Sequence, residues 1–304
     1  MMQMDLGYVA TNGETLFRQF RWGTTVYCPY CGSTHIYQGS GRYKCADCKR
    51  RFSDTTGTLF HSSKLSLSTL FLGAYLMMTN RGLSSYILAQ QLGVTQKTAW
   101  GLQTKIRYTL LQYGLEGDEM MVDEAYVGGS VRNMHRKKKI LLMKKYNIGN
   151  EFNLSNMLTI ARRHTKPVLG IVDNKGKLLL QYCPDGFADD RMKNLLFDVM
   201  PYAKHITTDD SSLYNFIYHK KHTIVNHSHH IYTVDGRTTN PAENAFSWLK
   251  GSIDHNHRHI SRKYVQGYLN EFTFRRNHKV LSDRLSEAFV LFRCTTVKLS
   301  EIMS

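Results

Sequence analysis

The apolar positions from about residue 117 onward predict strands that alternate with helices. Strands are predicted in DEMMVDEAYVGG, HITTDD and HTIVNHS, and a hairpin in PVLGIVDNKGKLLLQYC with its turn at Asn174, Lys175 and Gly176. Helices are predicted in DDRMKNLLFDVM and SSLYNFIYH, and a long helical region runs from residue 238 past Asn277. This order predicts an α/β fold whose mixed sheet carries helices on both faces.

The stretch between residues 65 and 116 has apolar residues at helical spacing. Within SSYILAQQLGVTQKTAWGLQTKIR, Gly93 suits a turn and Thr95 suits the N-cap of a second helix. This pattern is typical of a DNA-binding helix-turn-helix, although a plain helical hairpin shares it. As a DNA reader, the second helix would present four polar residues to a groove: Gln96, Lys97, Gln103 and Lys105.

Four cysteines near the N-terminus have the spacing of a zinc ribbon. Cys28, Cys31, Cys45 and Cys48 form the pattern C-x2-C-x13-C-x2-C, in which two pairs of thiolates complete a tetrahedral zinc site. With no open coordination position, this zinc is predicted to be structural. Two disulfides are the alternative, but the sequence gives no sign of an oxidising compartment. The remaining two cysteines, Cys183 and Cys294, are predicted to be buried apolar side chains.

The charge balance indicates a polyanionic partner. Forty Lys and Arg against 24 Asp and Glu give a net charge of +16, which favours nucleic acid. The segment RNMHRKKKILLMKK alone has seven basic residues in fourteen positions. It is either a solvated loop or a phosphate-binding arm, and Arg136, Lys137, Lys138 and Lys139 are its candidate DNA contacts. The longest apolar stretch, residues 65–78, is too short to span a bilayer, so we expect a soluble, intracellular protein.

Acidic residues at strand ends are the candidates for chemistry. Asp123 follows the apolar run Met120–Val122, and Asp209 ends a short strand. Strand ends of an α/β sheet are where ligands bind, and two carboxylates there can share divalent cations. A third candidate lies in TTNPAENAFSWLK, residues 238–250. There Asn240 suits an N-cap and Glu243 suits a capping box, but either can also be a metal ligand.

Together these motifs resemble the DDE transposases of small bacterial insertion sequences that carry a zinc ribbon, relatives of the eukaryotic Merlin elements. The resemblance extends from Cys28 to about Lys279, through the ribbon, LGVTQKTAW, VDEAYVGG, TTDDSSLY, TTNPAENAFSWLK and YLNEFTFRRN. It implies an RNase H-like catalytic core, divalent metal, and cutting and joining of DNA at element ends. Asp123 matches the first catalytic Asp of the family, and Asp209 matches the second.

The third acid is not fixed by the resemblance. The family usually has His-Thr-Asn where this chain has Thr238-Thr239-Asn240, and some members use Asn, not Glu, as the third metal residue. Helix geometry favours Glu243, because seven residues place it within about 20° of Lys250 on one helix face. We therefore expect Glu243 as the ligand, Lys250 as a DNA contact, and Asn240 as a cap or supporting residue. Glu124 is expected to point to the opposite side of its strand from Asp123.

The patterns along the chain predict three domains: residues 1–60 form the zinc ribbon with its lead-in, 61–116 a helix-turn-helix, and 117–304 the α/β domain, which the resemblance implies is an RNase H-like transposase domain. Two Mg²⁺ or Mn²⁺ ions on Asp123, Asp209 and Glu243 would serve hydrolysis and strand transfer. At least a dimer is expected on double-stranded DNA, in a cytoplasmic, nucleoid-associated protein. The alternatives are a catalytically inactive DNA-binding regulator derived from a transposase, and a nuclease that never joins ends.

Overall fold

The computed structural model describes residues 5–39, 42–80, 82–110, 114–127, 134–149, 151–164, 166–184, 190–218, 221–226, 229, 233–257, 260–295 and 302, without the side chains of 158 and 161–163. The chain forms two compact units. The first consists of Met1–Leu111 with His278–Ser304, and the second of Gln112–Asn277. No helix among these residues has the length and apolar character needed to cross a membrane.

In chain order, the helices are α1 (Leu6–Trp22), α2 (Leu67–Thr79), α3 (Ser85–Leu92), α4 (Gln96–Thr109), α5 (Arg136–Lys145), α6 (Leu154–His164), α7 (Asp190–Val199), α8 (Asn240–Asn256), α9 (Val265–Asn277) and α10 (Leu281–Cys294). The strands are β1 (Ile36–Gln38), β2 (Tyr43–Cys45), β3 (Arg51–Phe52), β4 (Glu119–Val127), β5 (Lys166–Asp173), β6 (Leu178–Tyr182), β7 (His205–Asp209) and β8 (His222–Val225).

In the first unit, a buried carboxylate joins α1 to the cysteine-rich sheet β1–β3. Asp54 is 3% exposed and accepts hydrogen bonds from the Trp22 indole at 2.7 Å, the Tyr43 hydroxyl at 2.8 Å and Arg18 Nε at 3.1 Å. Burial and the contact with Asp54 raise the pKa of Tyr43 to about 12, so the phenol stays protonated and donates. Three donors, one of them charged, stabilise a carboxylate that burial alone would destabilise.

The predicted helix–turn–helix segment folds as two helices, α3 and α4. Gly93 adopts the left-handed conformation between them, and the Thr95 side chain accepts from the N–H of Thr98 at 3.2 Å. The prediction that Gln103 faces a DNA groove is wrong. Its side chain is 1% exposed and donates to the carbonyl of Leu83 at 2.7 Å, because it satisfies a buried backbone acceptor.

Helix α10 packs with the first unit, although the sequence placed it in a domain of residues 117–304. The Phe289 ring lies 4.6 Å from that of Phe20 and 4.8 Å from that of Phe71. Leu59 also donates its N–H to the carbonyl of Phe292. These aromatic side chains need a buried surface, and α1 and α2 supply it. Cys294, at the end of α10, is exposed and not buried as predicted, whereas Cys183 is buried.

The second unit has a five-stranded sheet with the order β6-β5-β4-β7-β8. Strands β4, β5 and β6 are antiparallel, whereas β7 and β8 are parallel to β4 and to each other. Helices α8 and α9 cover one face with residues such as Phe246, Leu249 and Leu269. Helix α7 packs Met192 and Leu196 on the other face. The predicted mixed sheet with helices on both faces is therefore confirmed.

Several helical predictions need correction. In SSLYNFIYH, of which the structure describes residues 211–218, only Ser212–Tyr214 is helical, as a 3-10 turn. The long region after residue 238 is two helices, α8 and α9, with a 3-10 turn at Arg262–Tyr264 before α9. The cap of α8 is Thr239, one residue before the predicted Asn240, and the helix has Pro241 in its first turn. The basic segment predicted as a loop or arm is largely the helix α5, capped by the ring of His135.

A second buried carboxylate fixes the entry to β4. Asp173 is 1% exposed, and its Oδ2 accepts from the N–H groups of Glu116 and Gly117, both at 2.7 Å. Its Oδ1 accepts from the N–H groups of Lys175 and Lys177, at 2.9 and 2.8 Å. One side chain therefore holds the β5–β6 turn and the segment that leads into β4.

Replacing Asp173 should destabilise the second unit more than an ordinary surface change. Asp173→Asn puts an NH2 donor against backbone N–H groups, so we predict a loss of about 2–4 kcal/mol in the free energy of unfolding. Asp198→Asn, at an exposed position on α7, is the matched control and should change it by less than about 0.5 kcal/mol. Urea unfolding of both variants measures the difference; equal stabilities would contradict the assigned role.

Helix α8 approaches the sheet closely at one glycine. Gly170 pairs with Asp123 in the β4–β5 ladder. A Cβ at Gly170 would lie 2.7 Å from Cζ of Phe246 and 3.3 Å from Cδ2 of Leu180. The absence of a side chain at Gly170 therefore lets Phe246 seat α8 beside Asp123.

A methyl group at Gly170 should conflict with Phe246 and be tolerated when that ring is made smaller. We predict that Gly170→Ala costs about 1–3 kcal/mol in the wild-type background and less than half of that in Phe246→Leu. Chemical denaturation of the two single variants and the double variant measures the coupling. Strictly additive effects would show that the ring does not occupy the space over Gly170.

Candidate functional site

Three carboxylates meet where β7 separates from β4. The parallel pairing between these strands ends with Met121 and Thr207, and Asp123 and Asp209 each follow two residues later. One carboxylate oxygen each from Asp123, Glu124 and Asp209 lies within 4.8 Å of the others. The structure therefore brings together the two aspartates that the sequence singled out.

Glu124 is the site residue that the sequence analysis missed. Its carboxylate accepts a hydrogen bond from the hydroxyl of Tyr214, whose side chain is 2% exposed, and its N–H donates to Asp123 Oδ1 at 2.8 Å. The expectation that Glu124 points away from Asp123 assumed a strand paired on both sides. Since β7 has left β4 at this point, the longer Glu124 side chain reaches the same gap. The signal available in the sequence was a second acid directly after Asp123.

The electrostatics of this group favour a bound cation. Burial, together with the charges of Asp209 and Glu243, raises the pKa of Asp123 to about 6 against the opposing effects of the Glu124 N–H and Lys250. Burial, together with the charges of Asp209 and Asp123, raises the pKa of Glu124 to about 7 against the opposing hydrogen bond from Tyr214. Like charges in a partly buried gap repel one another, and a divalent cation relieves that repulsion.

Glu243 and Lys250 flank this group from α8. Both side chains are exposed, and both charges act on Asp123, as expected for residues on one helix face. Glu243 accepts a hydrogen bond from the Thr239 hydroxyl at 3.1 Å and is not one of the three closely spaced carboxylates. The roles of Glu243 as third ligand and of Lys250 as DNA contact stay predictions.

Asn240 lies at the exposed beginning of α8. Its backbone N–H donates to the Thr238 hydroxyl at 3.2 Å, so Asn240 is itself held by the preceding segment. The helix cap is Thr239, so the prediction of Asn240 as cap is wrong. The roles of Asn240 as supporting residue or alternative metal ligand stay predictions.

The carboxylate group fits a hard divalent cation. Mg²⁺ and Mn²⁺ prefer oxygen ligands, and the cluster has no cysteine or histidine among the described residues. Two oxygens on opposite sides of Mg²⁺ lie about 4.2 Å apart, since each bond is about 2.1 Å long. The three carboxylate oxygens, all within 4.8 Å of one another, are close enough to share one cation.

The four N-terminal cysteines form a separate, compact sulfur cluster. The Sγ atoms of Cys28 and Cys48 are 3.6 Å apart, as are those of Cys31 and Cys45, and all four cysteines are free. Tetrahedral zinc with bonds of about 2.3 Å places its sulfurs about 3.8 Å apart. These four thiols therefore fit a structural zinc ion and are not paired as disulfides.

The remaining candidate DNA contacts lie on α4 and α5, and most of them are exposed. Gln96 and Lys97 are exposed at the start of α4, and Lys105 is half-buried further along. At the start of α5, Arg136, Lys137 and Lys138 are exposed and Lys139 is half-buried. These positions are compatible with phosphate contacts, which stay predictions.

Comparison with known proteins agrees with this arrangement. Residues 114–277 match the ISXO2-like transposase domain, and residues 13–51 match the transposase zinc-ribbon domain. The chain is also 26% identical over 296 residues to an uncharacterised protein in the transposable element ISH50 of Halobacterium salinarum, covering 91% of this chain and 94% of that protein. The matched domain spans the carboxylate group and more than half of the chain. The protein therefore belongs to the family with the ISXO2-like transposase domain.

Proposed function

We propose that this protein binds the terminal inverted repeats of an insertion sequence and catalyses metal-dependent cleavage and joining of DNA strands. The convergence of Asp123, Glu124 and Asp209 carries the proposal, since it lies inside the matched transposase domain. A net charge of +16 supports DNA as the partner. The five-stranded mixed sheet supports the expected RNase H-like core.

The acids are proposed to hold Mg²⁺ or Mn²⁺. Asp123 and Asp209 are the first two ligands, and Glu243 is the third, with Glu124 as a further candidate because its carboxylate is closer to the pair. When bound, divalent cations activate the attacking oxygen and neutralise charge on the phosphate. Tyr214 would orient Glu124 through its hydroxyl, and Lys250, whose charge acts on Asp123, is proposed to contact a DNA phosphate.

The N-terminal unit is proposed to recognise the element ends. Its zinc ribbon and the α3–α4 helix-turn-helix present Gln96, Lys97 and Lys105 for DNA contact. Because two ends must be held together for joining, we propose at least a dimer on DNA, acting at the nucleoid. The relation to the Merlin elements stays a prediction.

A cleavage and strand-transfer assay on the DNA that flanks the gene tests the function. We predict that Asp123→Asn and Glu243→Gln each lower Mg²⁺-dependent joining by on the order of 100-fold or more, as loss of a charge-stabilising group does. Asn240→Ala should stay within a few-fold of the wild type. Glu124→Gln is measured beside Glu243→Gln, and the variant that loses more joining identifies the more important acid.

The outcomes separate the alternatives. Loss with Asn240→Ala and not with Glu243→Gln would make Asn240 the third metal residue. Cleavage without any joined product would favour a nuclease. Specific binding of the ends by a wild type that cleaves with neither Mg²⁺ nor Mn²⁺ would favour an inactive DNA-binding regulator.

The pH dependence of stability tests the cation site. With pKa values of about 6 and 7, Asp123 and Glu124 keep protons on folding that the unfolded chain loses above about pH 4. Without Mg²⁺, stability should therefore fall as pH rises through this window. Millimolar Mg²⁺ should raise the Tm by several degrees near pH 8 and hardly at all near pH 5, because cation binding requires ionised carboxylates.

Thermal unfolding of zinc-loaded protein, without a chelator that would remove the zinc, measures this effect. Asp123→Asn should abolish the gain from Mg²⁺ at the higher pH. A gain of equal size at both pH values, or one that persists in Asp123→Asn, would place the cation elsewhere.

A further inference from the structure

Helix α5 carries an exposed leucine in the middle of a lysine face. The side chain of Leu141 is 65% exposed. One exposed leucine is ordinary on a protein surface, but this one has a regular frame of cations around it. The residues three and four positions before and after it, which are its neighbours on the helix surface, are all exposed lysines: Lys137, Lys138, Lys144 and Lys145.

These lysines form one row on each side of Leu141. At about 100° per residue, Lys137 and Lys144 lie roughly 40–60° to one side of Leu141 and form the first row. Lys138 and Lys145 lie equally far to the other side and form the second row. The two lysines of each row are about 10 Å apart along the helix axis. The lysine face of α5 is therefore an apolar centre between two lines of positive charge.

The fold holds this face outward. On the opposite side of α5, Leu142 and Met143 are buried in one hydrophobic cluster with Ile160 of α6. Helix α5 itself contains no acidic residue, and residues 125–172 contain ten Lys or Arg and one acid, Glu151. Because the helix has no acid of its own to offset the lysines, its exposed face favours a polyanionic partner.

The segment with α5 and α6 belongs to the unit that holds the carboxylates. It is inserted between β4 and β5, whose ladder ends with the pair Val127 and Lys166. Strand β4 runs from Asp123 to Val127 over about 13 Å, towards the same end of the sheet as the parallel strand β7. The inserted segment thus leaves the sheet on the side where the carboxylates lie.

We propose that the lysine face of α5 binds the target DNA and lies lengthwise in its major groove. This groove is about 12 Å wide, and a helix with its side chains is about 10–12 Å across. A groove has a line of phosphates along each edge, so one lysine row would contact each strand. Leu141 would face the base edges, where thymine offers a methyl group. The assignment to a target rests on the proposed function.

The lysine face suits DNA of varying sequence better than a fixed terminal repeat. Contacts to phosphates position a protein without reading the sequence, whereas side chains at the base edges specify it. The central side chain is here Leu141, which can neither donate nor accept a hydrogen bond. A target that differs from one insertion to the next requires such contacts, and the N-terminal unit is the part proposed to read the element ends.

Binding to a duplex of unrelated sequence, measured by fluorescence anisotropy at several salt concentrations, tests the proposal. Lys137→Gln with Lys144→Gln removes the first row, and Lys138→Gln with Lys145→Gln removes the second, while glutamine keeps the helix propensity. Each double variant should weaken binding by about tenfold or more. Each should also reduce the slope of log K against log salt by about 1.8, the value for two phosphates.

A change at Leu141 and two controls complete this experiment. Leu141→Ala should weaken binding several-fold without changing the slope, because it removes an apolar contact and no charge. Leu154→Ala, at an exposed leucine that begins α6, should bind as the wild type does. Lys175→Gln with Lys279→Gln removes two exposed charges outside α5 and should change the slope by less than half as much as either row variant.

Several results would overturn the proposal. Since the lysines are exposed, the Tm of both row variants should match that of the wild type, and a lower Tm would assign the row to the fold. Unchanged slopes would show a face that is only solvated, and loss in one row alone would exclude the groove placement. An equal or larger loss of affinity for a duplex with a terminal repeat would assign α5 to the element ends.

The row variants also separate this surface from the proposed function. If the wild type cleaves and joins DNA and both row variants bind as it does, the surface fails and the transposase function stands. If the wild type neither cleaves nor joins DNA but both row variants lose affinity and slope, α5 is a DNA-binding surface and the catalytic function fails.

Discussion

The early end of the β4–β7 pairing is the constraint on which the candidate site depends. Beyond Met121 and Thr207 the two strands are no longer paired, and Asp123 and Asp209 each follow two residues later. The space where the pairing ends holds three carboxylates, one of which accepts a hydrogen bond from the buried hydroxyl of Tyr214. Their mutual repulsion in a partly buried space makes a divalent cation the natural complement.

Two neighbouring contacts keep this gap in place. Asp173 accepts two backbone N–H groups from the segment that enters β4 and two from the β5–β6 turn, and so holds both next to each other. Gly170 allows Phe246 to sit directly on β5, opposite Asp123, which brings Glu243 and Lys250 within electrostatic reach of that carboxyl. The positions of the acids therefore depend on the packing of β4, β5 and α8 around them.

Much of the site could be predicted from local patterns. Asp209 ends the short strand β7, as predicted, and strand ends are where an α/β sheet presents ligands. Asp123 was predicted at a strand end but lies inside β4, where only the pairing with β7 has ended. The four cysteines have a spacing that few other structures use. Glu124 was missed because the alternation of side chains along a strand can be read from the sequence, whereas the place where β4 stops pairing with β7 cannot. Gln103 was misplaced for a similar reason, since only the fold shows that it satisfies the carbonyl of Leu83.

The most direct measurement is the anomalous diffraction of crystals soaked in Mn²⁺. Binding of the cation by the acids predicts a strong peak within about 2.2 Å of carboxylate oxygens of Asp123 and Asp209, which is lost in crystals of Asp123→Asn. The same map would show whether Glu124 or Glu243 completes the ligand set. No peak at this position with saturating Mn²⁺ and all four acids intact would contradict a metal-dependent site at the β4–β7 separation.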